Sequence, residues 1–238
     1  MLTCDTLYNG GLIIYQEKEG YRFSLDAVLL AGLTCIKPGD RVMDLGTGSG
    51  VIPLILARRS EAASLIGIEI QSELAALANK NVDVNGLADR IRIIEGDYRR
   101  IDVLWDSESC DVVFCNPPYR RLQTGRINPH RQRAVARHEL TCTLADVFQA
   151  ASHLLVRGGR LAVIYPASRL GYLLRAAEEG GFSSGDLTVI HSYADGPGRL
   201  VHFESRKGGG EGLRIAPPFV VYQKRGVYTE SMQALYRI

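Results

Sequence analysis

The chain reads as an α/β fold: a doubly wound, mostly parallel seven-stranded sheet with an antiparallel C-terminal strand and a short N-terminal hairpin extension. Three observations lead there. From residue 41 onward, short apolar runs alternate with helix-length segments, the pattern of βα units on a parallel sheet. The first of these runs ends in a glycine-rich turn that opens a helix. Beyond Gly180-Gly181 the strand-like runs lose their intervening helices, as consecutive antiparallel strands do.

Taken in order, Thr6-Leu7-Tyr8 and Leu12-Ile13-Ile14-Tyr15 flank Asn9-Gly10, a hairpin turn dipeptide. A helix follows Ser24, an N-cap residue, with Asp26 in its first turn. Val42 to Leu45 is a buried strand, and a helix covers about 50–58. Leu65 to Glu69 is the second strand of the parallel series. Its helix spans about 72–85, carries Leu74, Ala78 and Val82 on one face, and stops at Asn85-Gly86. Ile91 to Ile94 and Asp111 to Cys115 are the third and fourth strands. A helix over about 142–155, a strand over Arg160–Tyr165 and a helix over Leu170–Glu179 complete the alternation. In the tail, Leu187–Tyr193 and Phe219–Tyr222 read as antiparallel strands, with Val201-His202-Phe203 extending the first. Arg206 to Gly212 reads as a mobile connection.

Bulk properties restrict the function. The 238 residues are 46% hydrophobic and carry a net charge of +2, so whole-molecule charge gives no pull toward nucleic acid and only a local cluster could. We expect one domain over 1–238, with 1–35 as the hairpin and helix extension and 36–238 as the core. Five cysteines, at 4, 35, 110, 115 and 142, form no Cys-x-x-Cys pair, which reads as reduced cytosolic thiols without a metal site. No apolar stretch is long enough for a membrane span and no signal peptide is read. A cytoplasmic monomer or homodimer is expected.

The first chemical motif is Asp44-Leu45-Gly46-Thr47-Gly48-Ser49-Gly50. Gly46, Gly48 and Gly50 permit a tight turn and close approach of backbone to a ligand. The third glycine comes one residue early for a nicotinamide fingerprint, and a carboxylate opens the motif. That carboxylate disfavours a pyrophosphate and welcomes an ammonium, which points to S-adenosylmethionine rather than a dinucleotide. Glu69, 25 residues after Asp44 and at the end of the next strand, can accept both ribose hydroxyls. Asp97 closes the third strand beside the place of an adenine ring. Ile70 and Tyr98, next to these acids, join the expected cofactor site, as does Asn116 of the second motif.

The second motif is Asn116-Pro117-Pro118-Tyr119. The first and fourth strands flank the point where strand order reverses, and ligands bind in the crevice there. The Asn116 side-chain oxygen and the Pro117 carbonyl can each accept one N–H of a conjugated amine and aim its lone pair at a methyl donor. Two prolines fix the turn and leave acceptors in excess, and Tyr119 offers a ring for a flipped base. The chemistry is orientation plus in-line methyl transfer. Taken alone, the same four residues also suit a rigid turn.

Together the motifs resemble the class I, Rossmann-like methyltransferases of the amino-modifying branch. The closer resemblance is to bacterial tRNA (adenine-N6)-methyltransferases that modify the purine beside the anticodon of valine tRNA. It is carried by Tyr21 to Leu30, Asp44 to Gly50, Asn116 to Tyr119 and Ala136-Arg137-His138-Glu139. The resemblance implies that Ser24 and Asp26 sit near the methionine end of the cofactor, and that the acceptor is the N6 amine of an adenine in tRNA.

Behind Tyr119 lie Arg120, Arg121, Arg126, Arg131, Arg133 and Arg137, with no acid before Glu139. A basic loop beside a base-sized pocket suits RNA phosphates; a merely solvated basic loop is the plain alternative. His138 reads as structural or RNA-contacting rather than catalytic, because a methylated amine can release its proton to water. Protein glutamine-N5 methyltransferases share the Asn-Pro-Pro-Tyr motif but usually carry a helical domain before the cofactor loop. Here 43 residues precede Asp44 and begin with a hairpin. Other nucleic-acid amino-methyltransferases commonly add a recognition domain. A non-catalytic protein binding S-adenosylmethionine or RNA would not need an intact Asn116–Tyr119.

Overall fold

A computed structural model describes residues 1–18, 24–62, 64–117, 142–182, 184–210 and 212–237. Two strands, β1 (Leu2–Leu7) and β2 (Leu12–Glu17), form the expected N-terminal hairpin. The pairing of Leu7 with Leu12 leaves four residues in the loop rather than the Asn9-Gly10 pair alone. Tyr8, Asn9 and Gly10 all take positive φ, at 54°, 54° and 89°. Helix α1 (Leu25–Leu33) follows. Ser24 is its extended N-cap residue, and the Ser24 hydroxyl makes no capping bond.

The parallel series then runs β3 (Arg41–Leu45), α2 (Val51–Arg59), β4 (Ser64–Glu69), α3 (Ser72–Val84), β5 (Ile91–Glu95), α4 (Ile101–Leu104), β6 (Cys110–Cys115), α5 (Leu144–Leu154), β7 (Leu155–Pro166) and α6 (Leu170–Glu179). The tail adds β8 (Ser184–His191), β9 (Gly198–Arg206), β10 (Gly212–Ile215), β11 (Phe219–Val220), the pair β12 (Tyr222–Lys224) and β13 (Val227–Tyr228), and α7 (Glu230–Ala234). None of the described helices is long and apolar enough to cross a membrane.

The large sheet has the order β10-β8-β9-β7-β6-β3-β4-β5, with β11 also on β8. Seven strands from β5 to β8 form its body, and the short β10 and β11 lengthen the β8 edge. Only β9 runs against the rest, between β7 and β8. Two expectations are corrected here. Val201-His202-Phe203 does not extend the preceding strand but lies in β9, because Asp195-Gly196-Pro197-Gly198 reverses the chain. Phe219 and Val220 pair with β8 in parallel, not antiparallel. The connection at 206–212 is tied down at Lys207, whose ammonium reaches Leu155 O at 2.7 Å and whose backbone pairs with Gly158 and Gly159.

Both faces of the parallel strands are covered, so neighbouring residues feed opposite cores. Val42, Val112, Phe114 and Ile164 pack under α1, α2 and α3. Met43, Val113, Cys115 and Tyr165 pack under α4, α5 and α6. At the edge where β3 and β6 begin, Arg41 grips Asp111 at 3.0 Å. Nearby, the buried Arg160 is held by Asp40 and Glu204, both at 3.1 Å. The opposite edge, where the parallel strands end, is left for the site.

The hairpin docks through two amides, Asn81 in α3 and Asn85 at its C-cap. Asn85 Oδ1 accepts from Ile13 N and its Nδ2 donates to Ile13 O, at 2.9 and 2.7 Å. Asn81 does the same for Tyr15, at 2.8 and 3.0 Å. The edge backbone of β2 is thereby satisfied by side chains where a further strand would otherwise be needed. Tyr222, Tyr228 and Tyr236 stack in sequence, with centroids 5.1 and 5.7 Å apart, and hold the C-terminal segment together.

Candidate active site

The central geometric fact is a register. Leu45, the last residue of β3, pairs with Ile68 on one side and with Cys115, the last residue of β6, on the other. The chain segments that leave Leu45 and Cys115 therefore start level on adjacent parallel strands, separated by about 4.8 Å. One is the glycine loop and the other is Asn116-Pro117. Asn116 is half-buried and Pro117 buried. Pro118, Tyr119, all six loop arginines from Arg120 to Arg137, and His138 lie outside the described residues.

Gly46, Gly48 and Gly50 take φ of 71°, 59° and 81°, the left-handed region that glycine tolerates without penalty. Gly46 and Thr47 both donate their N–H to Ile68 O, at 2.9 and 3.0 Å. Gly50 is the N-cap of α2, and a Cβ there would meet Ala78 Cβ at 3.2 Å. The loop is thus pressed between the end of β4 and α3.

Glu69 is 1% exposed and is fixed at both carboxylate oxygens. Oε2 accepts from Gly48 N at 2.9 Å and Oε1 from Gln71 N at 3.0 Å. A carboxylate oxygen has two lone pairs and can accept more than one hydrogen bond. Ile70, next in the chain, is 37% exposed and presents an apolar side chain at the same edge.

Asp44 is buried at 1% exposure, and neither of its carboxylate oxygens meets a donor in hydrogen-bonding geometry among the described residues. Burial pushes this carboxyl up to about 7; the Thr47 hydroxyl opposes the shift and the Glu69 charge adds to it. An ionised carboxylate left so deep without a donor is costly. A cationic ligand group would relieve it, which is the test that the residues pass for an ammonium-bearing cofactor.

Asp97 caps the short turn Tyr98–Arg100 by accepting from Arg99 N at 2.9 Å. The Arg99 guanidinium beside it holds its carboxyl below the usual range. The Tyr98 ring is only 4% exposed, and a Cβ added at Gly46 would meet its edge at 4.0 Å. Ser24 is exposed and Asp26 half-buried at the start of α1, a helix that packs on α2, β7 and β9.

Two residues that matter here were not singled out by the sequence reading. Asn81 is fully buried and donates from Nδ2 to Ser49 O, inside the glycine loop, at 2.9 Å. A polar residue on the apolar stripe of α3 was the available signal. Gly67 lies inside β4, and a Cβ there would come within 2.8 Å of Thr47 Cγ2 and Oγ1. A glycine within a strand often marks such a close approach.

A family model described as a methyltransferase domain matches residues 36–185. The chain is also 35% identical over 185 residues to a tRNA1(Val) (adenine(37)-N6)-methyltransferase of Porphyromonas gingivalis, covering 75% of this chain and 72% of that protein. The chain belongs to this methyltransferase family. A second family member of the same description, from Dyadobacter fermentans, matches at 24% identity over 94% of this chain and 93% of its own length. Among solved structures, a predicted O-methyltransferase from Agrobacterium tumefaciens shares the fold with a TM-score of 0.73. It is 23% identical, over 89% of this chain and 95% of that one. The family model spans β3 through the start of β8 and so contains Asp44, the glycine loop, Glu69, Asp97 and Asn116.

Proposed function

We propose that the protein transfers the methyl group of S-adenosylmethionine to the N6 amine of an adenine in tRNA, at the purine beside the anticodon. The observation that carries this is the level register of Leu45 and Cys115. It starts the glycine loop and the amine-accepting Asn116-Pro117 side by side. The arginine-rich stretch behind Tyr119 and the family match at 35% identity support RNA as the acceptor.

Bound here, the cofactor supplies an electrophilic methyl on a sulfonium. The residues fit it: the buried Asp44 carboxylate suits its ammonium, the anchored Glu69 carboxylate suits its ribose hydroxyls, and Ile70 suits the adenine face. The task of Asn116 Oδ1 and the Pro117 carbonyl is to accept the two N6 hydrogens and aim the lone pair in line with the methyl carbon. The new N–C bond forms as the C–S bond breaks, and N6 then gives one proton to water. Nothing in this step asks for a side-chain base.

The test is nucleoside mass spectrometry of tRNA from cells with and without the gene. Loss of N6-methyladenosine from tRNA in the deletion strain is expected. Unchanged tRNA together with a lost glutamine methylation would overturn the reading.

A further inference from the structure

We propose that Arg169 is a phosphate contact for the RNA substrate, held at the catalytic edge by Tyr165 and Tyr172. The proposal rests on the tRNA reading above and adds a binding residue that neither sequence motif contains.

Strand β7 lies beside β6, with Val163 paired to Cys115. Tyr165 is two residues further along β7, as Pro117 is two residues beyond Cys115. The chain then turns through Ala167–Arg169, so Arg169 stands at the edge from which Asn116 emerges, one strand over. Its guanidinium carbon lies over the Tyr165 ring at 5.1 Å and over the Tyr172 ring at 5.2 Å. Tyr165 is 3% exposed and anchored in the core beneath α5 and α6, whereas Tyr172 is 37% exposed.

Among the described residues, what distinguishes Arg169 is that it is half-buried yet has no acceptor. The other buried or half-buried guanidiniums among the described residues are matched, Arg59 by the Leu235 carbonyl, and so are the more exposed Arg99 and Arg90; the exposed Arg92 rests on the Trp105 ring. Arg41 holds Asp111, Arg99 holds Asp97, and Arg160 holds Asp40 and Glu204. Arg90 donates to the Ala57 and Ser60 carbonyls. Among the described residues, no carboxylate and no carbonyl takes a hydrogen bond from the half-buried Arg169. Ring faces hold a cation by their quadrupole but do not neutralise it, and they use none of its in-plane N–H donors. A guanidinium held over two rings, still charged and with no acceptor among the described residues, matches what a phosphodiester offers.

The experiment compares wild type with Arg169→Met and Arg169→Lys. It measures the Kd for unmodified tRNA across a salt series, the affinity for S-adenosylhomocysteine, and Tm. For Arg169→Met we expect tRNA binding weakened about three- to tenfold and a salt slope smaller by about one. S-adenosylhomocysteine binding should stay within about twofold of wild type. Arg169→Lys should keep most of the tRNA affinity, since it keeps the charge. A wild-type salt slope in Arg169→Met, with or without a lower Tm, would overturn the assignment and leave Arg169 a staple of the fold. If wild type methylates tRNA while that slope is unchanged, only this assignment falls. If wild type neither binds nor methylates tRNA, the functional reading falls and takes this one with it.

Discussion

Asn81 joins two parts of the molecule that are distant in sequence. Its Nδ2 donates to Ser49 O at 2.9 Å and to Tyr15 O at 3.0 Å, while its Oδ1 accepts from Tyr15 N at 2.8 Å. One buried amide therefore ties the N-terminal hairpin to the glycine loop. Asn81→Ala leaves three backbone groups short of a partner, at about 1–3 kcal/mol for each that stays buried. We expect a clear drop in Tm and weaker S-adenosylhomocysteine binding by calorimetry. Asn81→Asp, which keeps the acceptor but loses both donated bonds, should fare no better. Cofactor affinity unchanged in both variants would show that the hairpin does not steady the loop.

Gly67 sets the height of the glycine loop above β4. A methyl group at this position would overlap Thr47 at 2.8 Å and Ile93 Cδ1 at 2.9 Å. Overpacking of this kind costs about 1–3 kcal/mol, and the loop is the softer partner. Gly67→Ala should lower cofactor affinity by about tenfold or more, while altering the denaturation midpoint only modestly. Equal cofactor Kd values for variant and wild type would remove Gly67 from the site.

On the proposed mechanism, Asn116 separates binding from chemistry. It leaves β6 beside the glycine loop, yet Asp44, Glu69 and the loop backbone are the groups suited to hold the cofactor. Asn116→Ala should keep S-adenosylhomocysteine affinity near wild type and lower kcat for tRNA methylation by about a hundredfold or more, because the amine is no longer aimed. Full methyl transfer by the variant would mean that another group orients the amine.

The fold was legible where physics acts locally. Strands buried on both faces appear as unbroken apolar runs, so β3, β4 and β6 were evident from Val42–Leu45, Leu65–Glu69 and Asp111–Cys115. The glycine loop was evident because positive φ restricts residue choice. Strand β9 escapes the sequence because both of its faces are covered and each buries a polar residue, His202 on one and Ser205 on the other, which leaves only a short apolar signal in a strand of nine residues. Asn81, Gly67 and Arg169 were missed because each acquires its meaning from a partner brought close only by folding. The Asn81–Ser49 bond, for instance, spans 32 residues.

His202 should make the fold acid-sensitive. It is 5% exposed, and its Nε2 lies 2.9 Å from Thr34 Oγ1. That hydroxyl already donates to Leu30 O at 2.8 Å, so it accepts from His202 and the ring carries its proton on Nε2. Burial lowers the imidazole pKa from 6.5 to about 4, with Asp186 opposing the shift. The unfolded chain therefore takes up this proton first. The stability this histidine confers is present above pH 6.5 and is lost as pH falls through about 4, by about 3 kcal/mol in all. Urea denaturation of wild type and His202→Gln at pH 7 and pH 4.5 checks this. The wild type should lose more stability on acidification than the variant does.

Asp44 should have the opposite dependence in the free protein and should couple cofactor binding to pH. Its folded pKa is raised from 3.8 to about 7. The stability linked to this raised pKa is present below pH 4 and is lost as pH rises through about 7. Near neutrality the carboxyl is shared between its protonated and ionised forms, and only the ionised form suits an ammonium. Binding must therefore release a proton on the acid side. The affinity for S-adenosylhomocysteine should fall by about tenfold for each pH unit below 7, and calorimetry in buffers of different ionisation enthalpy should detect about one proton released per ligand bound. Asp44→Asn should bind weakly, with little pH dependence between 5 and 7. An equally steep pH dependence in that variant would assign the proton to another group and take the ammonium contact away from Asp44.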